Sequence, residues 1–325
     1  MATAIEGLRV LSLNIRGYSA LEFGESNGKQ KDLVTAFEEC EKDGKTIDIL
    51  CIQETHLLGD DAIEIPGHTW YGRNRTKVGS NAPKGSGGIG ILVRDTLLQG
   101  AKVSHETYED ASKFGECEGL QKLKISTNKG RLTIFNVYGE QHRKSFPVNK
   151  ETFFKAAFLK IRESFNDDGD DPKKLTLVAG DFNVRLGQKQ DQKGTRGKRG
   201  GEKSNSGKLA DTLIRQIDGA DAIIIHGRAC HWNFTFYPDR KTKKNADHPD
   251  RSVIDYMMLA EPKYDSVLKA GILVPLTIDT DHKAPYVVIP DVLQQKKTSK
   301  STRRQTAKKV AGLPYKRAAV REFAA

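Results

Sequence analysis

Short apolar runs of four to eight residues, rich in Val, Ile and Leu, recur along the first 290 positions. Nine of them read as β-strands: 8–13, 47–52, 89–93, 120–125, 132–137, 175–179, 222–225, 253–259 and 284–289. Two segments carry a helical period instead. Leu33, Phe37 and Cys40 fall at i, i+4, i+7, and Phe154, Phe158, Ile161 and Phe165 mark one face after a plausible Asn149 cap. A third helix is expected at 208–216, after an Asn205-Ser206-Gly207 turn. The strands come in groups rather than in strict βαβ alternation. The pattern therefore predicts an α/β four-layer sandwich, two packed mixed β-sheets flanked by helices, rather than one doubly wound sheet.

Two Gly/Lys-rich stretches, 77–90 and 188–208, interrupt this pattern and read as long loops. No internal repeat is visible. After Pro290 the apolar periodicity fades, which predicts a domain over 1–290 and a flexible basic tail or linker over 291–325. That tail holds ten lysines and arginines against two acids, Asp291 and Glu322, within a chain of net charge +11. A basic tail suits a polyanionic partner through counterion release, and equally a solvated linker or a nuclear-import signal.

Composition narrows the class. With 37% hydrophobic and 29% charged residues, the chain reads as an ordinary globular protein. No apolar run is long enough for a membrane span, and the first residues lack the pattern of a signal peptide. A nuclear or cytoplasmic protein is expected, not a secreted one. Cys40, Cys51, Cys117 and Cys230 show neither a CxxC pair nor zinc spacing, and read as buried thiols. His226, Cys230 and His231 do not make a metal site.

The chemistry stands at the strand ends. The run from Asp48 to Ile52 leads into Gln53-Glu54, and the run from Leu175 to Ala179 leads into Gly180-Asp181-Phe182-Asn183. Ser252-Val253-Ile254-Asp255-Tyr256 puts a carboxylate inside an apolar strand. Asp279-Thr280-Asp281-His282 precedes the last strand, and Asn14 ends the first. Buried carboxylates are costly unless paired or metal-bound. Several at the ends of a shared sheet would form an oxygen-rich pocket suited to Mg²⁺. Alone, each is bland: Asp281-His282 reads as a surface pair, Asp255 as a salt-bridged residue, Glu54 as a loop start, Asn14 and Asn183 as capping residues, and Tyr138 as a core aromatic.

Together they carry a resemblance. Asn14, Gln53-Glu54, Asn136-Val137-Tyr138, Gly180-Asp181-Phe182-Asn183, Ser252-Val253-Ile254-Asp255-Tyr256 and Asp281-His282, in this order over residues 8 to about 290, resemble the endonuclease/exonuclease/phosphatase superfamily, whose fold is DNase I-like. Gln53-Glu54-Thr55-His56, Gly87-Gly88-Ile89-Gly90 and the segment from Asn205 to Leu209 resemble endonuclease domains of non-LTR retrotransposons. Those are relatives of apurinic/apyrimidinic endonucleases and of craniofacial-development-protein-like derivatives.

The resemblance implies a Mg²⁺-dependent endonuclease, with Mn²⁺ able to substitute, that nicks DNA to leave a 3′-hydroxyl and a 5′-phosphate. It implies Glu54 as the principal metal ligand, with Asn14 and Asp281 close to the metal or its waters. Asp181 would orient or deprotonate the attacking water, Asn183 would hold the phosphate, and His282, supported by Asp255, would bind the phosphate or move a proton. Tyr138 would face the phosphate. Two departures stand out: Gly139-Glu140 where relatives carry a proline, and Thr280 where serine is commoner.

Arg240, Lys241, Lys243, Lys244, Lys198 and Arg199 are candidate grips on nucleic-acid phosphates. In 233–238 an aromatic could reach a base. DNA is the expected partner, RNA is an alternative, and a monomeric catalytic domain within a longer polyprotein would fit. The competing reading is a phosphatase or phosphodiesterase of the same superfamily acting on a small phosphate ester or phosphoinositide. A non-catalytic nucleic-acid-binding protein with a relic domain is a third.

Overall fold

The computed structural model describes residues 7–18, 28–74, 87–108, 119–139, 149–186, 205–226, 235, 252–273, 278 and 280–293. All of them belong to one unit, Met1–Gln294, and the second unit, Gln295–Ala325, lies outside the described residues. So do Lys198, Arg199, Arg240, Lys241, Lys243, Lys244, Cys117, Cys230, His231 and nearly all of 233–238.

The strands are β1 Leu8–Asn14, β2 Ile49–Gln53, β3 His68–Arg73, β4 Ile89–Arg94, β5 Lys102–Thr107, β6 Leu120–Ser126, β7 Arg131–Tyr138, β8 Lys174–Asp181, β9 Ala222–Ile224, β10 Asp255–Ala260, β11 Lys269–Leu273 and β12 Ala284–Ile289. The helices are α1 Gly28–Lys42, α2 Asp95–Leu98, α3 Lys150–Asp168 and α4 Asn205–Gly219. A 3-10 helix follows β10 at Glu261–Ser266. Two six-stranded sheets result, in the orders β11-β12-β1-β2-β4-β3 and β5-β6-β7-β8-β10-β9. Each is mixed: β1 runs parallel to β2 and β7 to β8, while the other pairs are antiparallel.

The central strands are continuous apolar runs because both their faces are covered. Along β2, Ile49 and Cys51 enter the core between the sheets, where they meet Leu132, Ile134, Leu177 and Met257. The alternate residues Leu50 and Ile52 pack outward with Leu33, Phe37 and Cys40 of α1. On the far side, Phe135, Val178 and Met258 pack with Phe154, Phe158 and Ile161 of α3 and Leu213 of α4. This is the expected four-layer sandwich. Each fully buried Phe or Ile of α3 stabilises the outer layer by about 1.5–3 kcal/mol. The Asn149 carboxamide caps α3 by accepting from the Glu151 N–H at 2.9 Å, which contributes about 1 kcal/mol.

Three strands escape the apolar pattern: β3, β5 and β11. All three are edge strands, half-buried or exposed along most of their length, so nothing selects a continuous apolar run there. Asn205-Ser206-Gly207 is not a turn but the first turn of α4. Asp255 stands not inside its strand but at its first residue. Beyond 290, where the periodicity fades, Leu293 still lies in the central core at 4% exposure, and its carbonyl accepts from Thr127 Oγ1 at 2.9 Å. Cys40 and Cys51 are buried free thiols. Among the described residues, no helix is long and apolar enough to cross a membrane.

Candidate active site

The register places the candidate residues at one end of the sandwich. In the second sheet, Asp255 pairs with Asp181, and Asp181 with Tyr138. In the first, Asn14 pairs with Gln53, the last residue before Glu54. The two sheets are tied directly beneath by buried amides. Gln53 Nε2 donates to Asn136 Oδ1 at 2.7 Å, and Asn136 Nδ2 donates to the carbonyls of Ile52 and Gly90, both at 2.9 Å. Asn136 was expected only as part of a motif; its work is to fix the distance between the two halves of the site.

Asp181 is fully buried and held by three donors. Asn14 Nδ2 donates at 2.9 Å, the Asn183 N–H at 2.7 Å and Asn183 Nδ2 at 3.1 Å. The Asn14 oxygen accepts the Arg16 N–H at 2.9 Å, which turns the amide nitrogen towards Asp181. Gly180 is obligatory here, because a Cβ would lie 1.9 Å from the Val137 carbonyl oxygen. His282 Nδ1 lies 3.1 Å from both oxygens of Asp255, and its Nε2 faces Asp181 Oδ2 at 4.0 Å and Asp281 Oδ1 at 3.8 Å. On the other side, Tyr138 donates its hydroxyl to Glu54 Oε1 at 2.5 Å. Tyr138 is thus a buried aromatic whose hydroxyl reaches the candidate Glu54. Asp281 lies against Arg16, Nη1 to Oδ2 3.5 Å. Asn14, Glu54, Tyr138, Asp181, Asn183, Asp255, Asp281 and His282 therefore gather at one end of the sandwich.

Charge is distributed with purpose here. Burial first, then repulsion from Asp255, pushes the Asp181 carboxyl up to about 7, against the pull of His282, Asn14 and Asn183. Burial works against the His282 imidazolium, but Asp255, by charge and hydrogen bond, outweighs it. With help from Asp181 and Asp281, His282 is raised to about 10. A protonated imidazolium thus faces a carboxyl poised near neutrality, an arrangement suited to moving a proton beside an anion.

Several contributors have no periodic signature. Four of the five described non-glycine residues with positive φ lie at this end: Arg16, Glu54, His56 and Asn183. Residues held in that sparsely populated region cost free energy and cluster at functional sites. His56 Nε2 lies 3.8 Å from Glu54 Oε2. Lys150 Nζ donates to the Asn183 carbonyl at 3.2 Å. Thr235, inside the aromatic-rich segment, accepts from the N–H groups of Ile254 and Asp255 at 3.2 and 3.3 Å. Its carbonyl takes the Lys283 N–H at 2.7 Å, so it clamps Asp255 to the residue after His282. Thr280, flagged as a departure, donates to the Asn14 carbonyl at 2.7 Å and accepts from the His282 N–H at 3.2 Å. Both contacts use the hydroxyl that serine shares. Gly139, the other departure, donates its N–H to the Asp181 carbonyl at 2.7 Å, and a Cβ there would meet the Phe182 carbonyl oxygen at 2.3 Å.

Among the described residues, one group of side chains brings ligand atoms close enough together to hold a divalent cation. Ligand atoms of Asp181, Asp255 and His282 lie within 4.8 Å of one another. That trio is internally satisfied, however, since His282 serves Asp255 and three donors serve Asp181. Glu54 and Asp281, beside the trio, offer the all-oxygen donors that Mg²⁺ takes. These carboxylates are the kind of oxygen donor a hard divalent ion takes, and Asp281 stands next to the trio, its Oδ1 3.8 Å from His282 Nε2.

Residues 11–275 match the model of the endonuclease/exonuclease/phosphatase family, and the chain belongs to that family. It is thus a hydrolase of phosphate esters, in a family that uses divalent metals. Among solved structures, it is similar to the endonuclease domain of TRAS1, a telomere-specific non-LTR retrotransposon. Identity is 16% and the TM-score 0.52, over 87% of this chain and 98% of that one. It is also similar to the AP endonuclease LMAP from Leishmania major, at 13% identity and a TM-score of 0.60 over 87% of both chains. The 3′ phosphatase NExo from Neisseria, bound to a product DNA hairpin, aligns at 14% identity and a TM-score of 0.55, over 87% of this chain and 99% of that one. At such identities these likenesses carry the fold alone. No curated protein matches the chain.

Proposed function

We propose that the protein is a divalent-metal-dependent endonuclease that hydrolyses a phosphodiester bond in DNA and leaves a 3′-hydroxyl and a 5′-phosphate. The observation that carries this reading is the Asp181 carboxyl. It is fully buried, aimed by Asn14 and Asn183, and faced by a His282 that Asp255 keeps charged. Such a carboxyl accepts a proton from water as the water oxygen attacks phosphorus. The P–O3′ bond breaks in line, and the 3′ oxygen leaves with the electron pair and takes a proton from solvent water. His282 donates to a non-bridging oxygen and neutralises charge that grows there. Asn183 orients the phosphate, and Tyr138 holds Glu54. Mg²⁺ or Mn²⁺ at Glu54 and Asp281, with Asn14 behind them, would stabilise charge on the phosphate and leaving oxygens.

A nucleic-acid substrate is supported by a family whose solved structures include DNA-processing enzymes and by the chain's net charge of +11. In this reading Arg240, Lys241, Lys243, Lys244, Lys198 and Arg199 grip the strand's phosphates, and Mg²⁺-dependent nicking is the retrotransposon type. The test is supercoiled plasmid in Mg²⁺ beside a panel of small phosphate esters and inositol phosphates. Nicking that disappears in Asp181→Ala and His282→Ala supports the endonuclease. Intact plasmid with turnover of a small ester would replace it by the phosphatase reading.

A further inference from the structure

Arg16 has no role in the site as assigned above, yet it is built into it. Its backbone is left-handed, φ 56°, a conformation that glycine and, to a lesser degree, asparagine tolerate and arginine does not favour. Contacts from three parts of the residue hold it there. Its N–H donates to Asn14 Oδ1 at 2.9 Å, its carbonyl accepts from Lys29 Nζ at 3.3 Å, and its guanidinium lies 3.5 Å from Asp281. The next residue ties the same turn to Glu54. Gly17 donates its N–H to the Glu54 carbonyl at 2.7 Å, and only the lack of a Cβ lets the His56 ring pack there, since Nδ1 would be 2.5 Å away. The turn therefore fixes a permanent cation against one proposed metal ligand and beside the backbone of the other.

Stability does not account for this expense. The Arg16 side chain is 47% exposed, and an exposed ion pair contributes little to folding. Its effect falls instead on whatever else seeks the Asp281 carboxylate. A divalent ion approaching Asp281 meets a fixed positive charge, and Arg16 must give up its carboxylate or share it. A phosphodiester in the cleft offers the guanidinium a second anion, which accepts two parallel N–H donors from arginine as a carboxylate does, so Arg16 can turn to it and leave Asp281 to the ion.

We propose that Arg16 is a positioning residue that keeps divalent-ion affinity low in the free protein and couples ion capture to arrival of a phosphodiester. The inference rests on Glu54 and Asp281 holding the ion. It deepens that assignment by naming what regulates it.

Calorimetric titration with Mn²⁺ alone, in the absence of nucleic acid, tests this without reading activity. Arg16→Gly suits the left-handed backbone and should fold as wild type, as a thermal melt would verify. Arg16→Asn, a second uncharged residue that tolerates this conformation, guards against a local effect of glycine. Both should bind Mn²⁺ about two- to five-fold more tightly than wild type, the scale of a partly exposed ion pair. Arg16→Lys, which keeps the charge, should return towards the wild-type value, and high salt should shrink the difference. Unchanged or weaker Mn²⁺ binding in both uncharged variants overturns the proposal. Glu54→Gln separates the two levels. If it binds Mn²⁺ as wild type does, the assignment of the ion falls and Arg16's role with it. If it loses the ion while Arg16→Gly matches wild type, only Arg16's role falls.

Discussion

Replacing Asp181 by asparagine should abolish hydrolysis and at the same time make the metal-free protein more stable. Asp181 is fully buried and faces Asp255 across the β8–β10 pair, which holds its carboxyl at about 7. An unperturbed aspartate titrates near 4, so the difference is about three pH units, or about 4 kcal/mol at roughly 1.36 kcal/mol per unit. The sign follows from proton binding. Below about pH 4 the carboxyl is protonated whether the chain is folded or not, and no penalty exists. Between about 4 and 7 the unfolded chain releases the proton first, so folding loses free energy as pH rises; above 7 the penalty is constant. Asparagine keeps the shape and removes the charge, at the cost of turning an amide NH2 towards one of the N–H donors that serve Asp181. His282 loses one of its supporting carboxylates in exchange, which returns part of the gain. In EDTA at pH 8, urea unfolding should show Asp181→Asn more stable than wild type by about 2–3 kcal/mol, and at pH 4 the two should nearly coincide. A variant that is less stable at both pH values, with no change between them, would refute the placement of a strained carboxyl at this position.

Other positions give equally direct outcomes. Asn136→Leu strands Gln53 and two strand carbonyls between the sheets, and should cost about 2–4 kcal/mol by denaturant titration. Gly180→Ala drives a Cβ into the Val137 carbonyl oxygen and should abolish folding or cost more than about 3 kcal/mol; wild-type stability would contradict the close β7–β8 approach. His226 is buried with Nε2 against the Gly271 carbonyl at 3.0 Å, and burial pushes it down to about 4. Uncharged in both states above about pH 6.5, it is protonated first in the unfolded chain as pH falls from there to about 4, so about 3 kcal/mol of stability should be lost in that window. His226→Phe should flatten that acid limb. Deleting 295–325, which removes ten basic residues but spares the buried Leu293, should weaken DNA binding and reduce its salt slope; unchanged affinity would free the tail of that role.

Much of this was legible in the sequence for a physical reason. A carboxylate or amide at the end of a run of Val, Ile and Leu, or within one, is expensive unless the fold uses it, so Asp181, Asn14 and Glu54 stand out once strand ends are marked, and Asp255 stands out as a charge within an apolar run. The doubly covered central strands betray themselves as unbroken apolar runs. The edges β3, β5 and β11 do not, because a strand paired on one side needs no such run. Arg16, His56, Lys150, Thr235 and Thr280 were hidden for a different reason. They act through left-handed turns and through contacts between residues as far apart as Thr280 and Asn14, and neither leaves a period in the chain. Thr280 shows the gap well: as a letter it is a departure, and as a hydroxyl between Asn14 and His282 it is the same part.

The most direct check is anomalous diffraction from a crystal of the protein soaked in Mn²⁺. A single peak in contact with the Glu54 and Asp281 carboxylates is the predicted result. A peak enclosed by Asp181, Asp255 and His282 instead, or none in the cleft at all, would contradict the division of labour between ion and acid–base groups on which the proposed reaction depends.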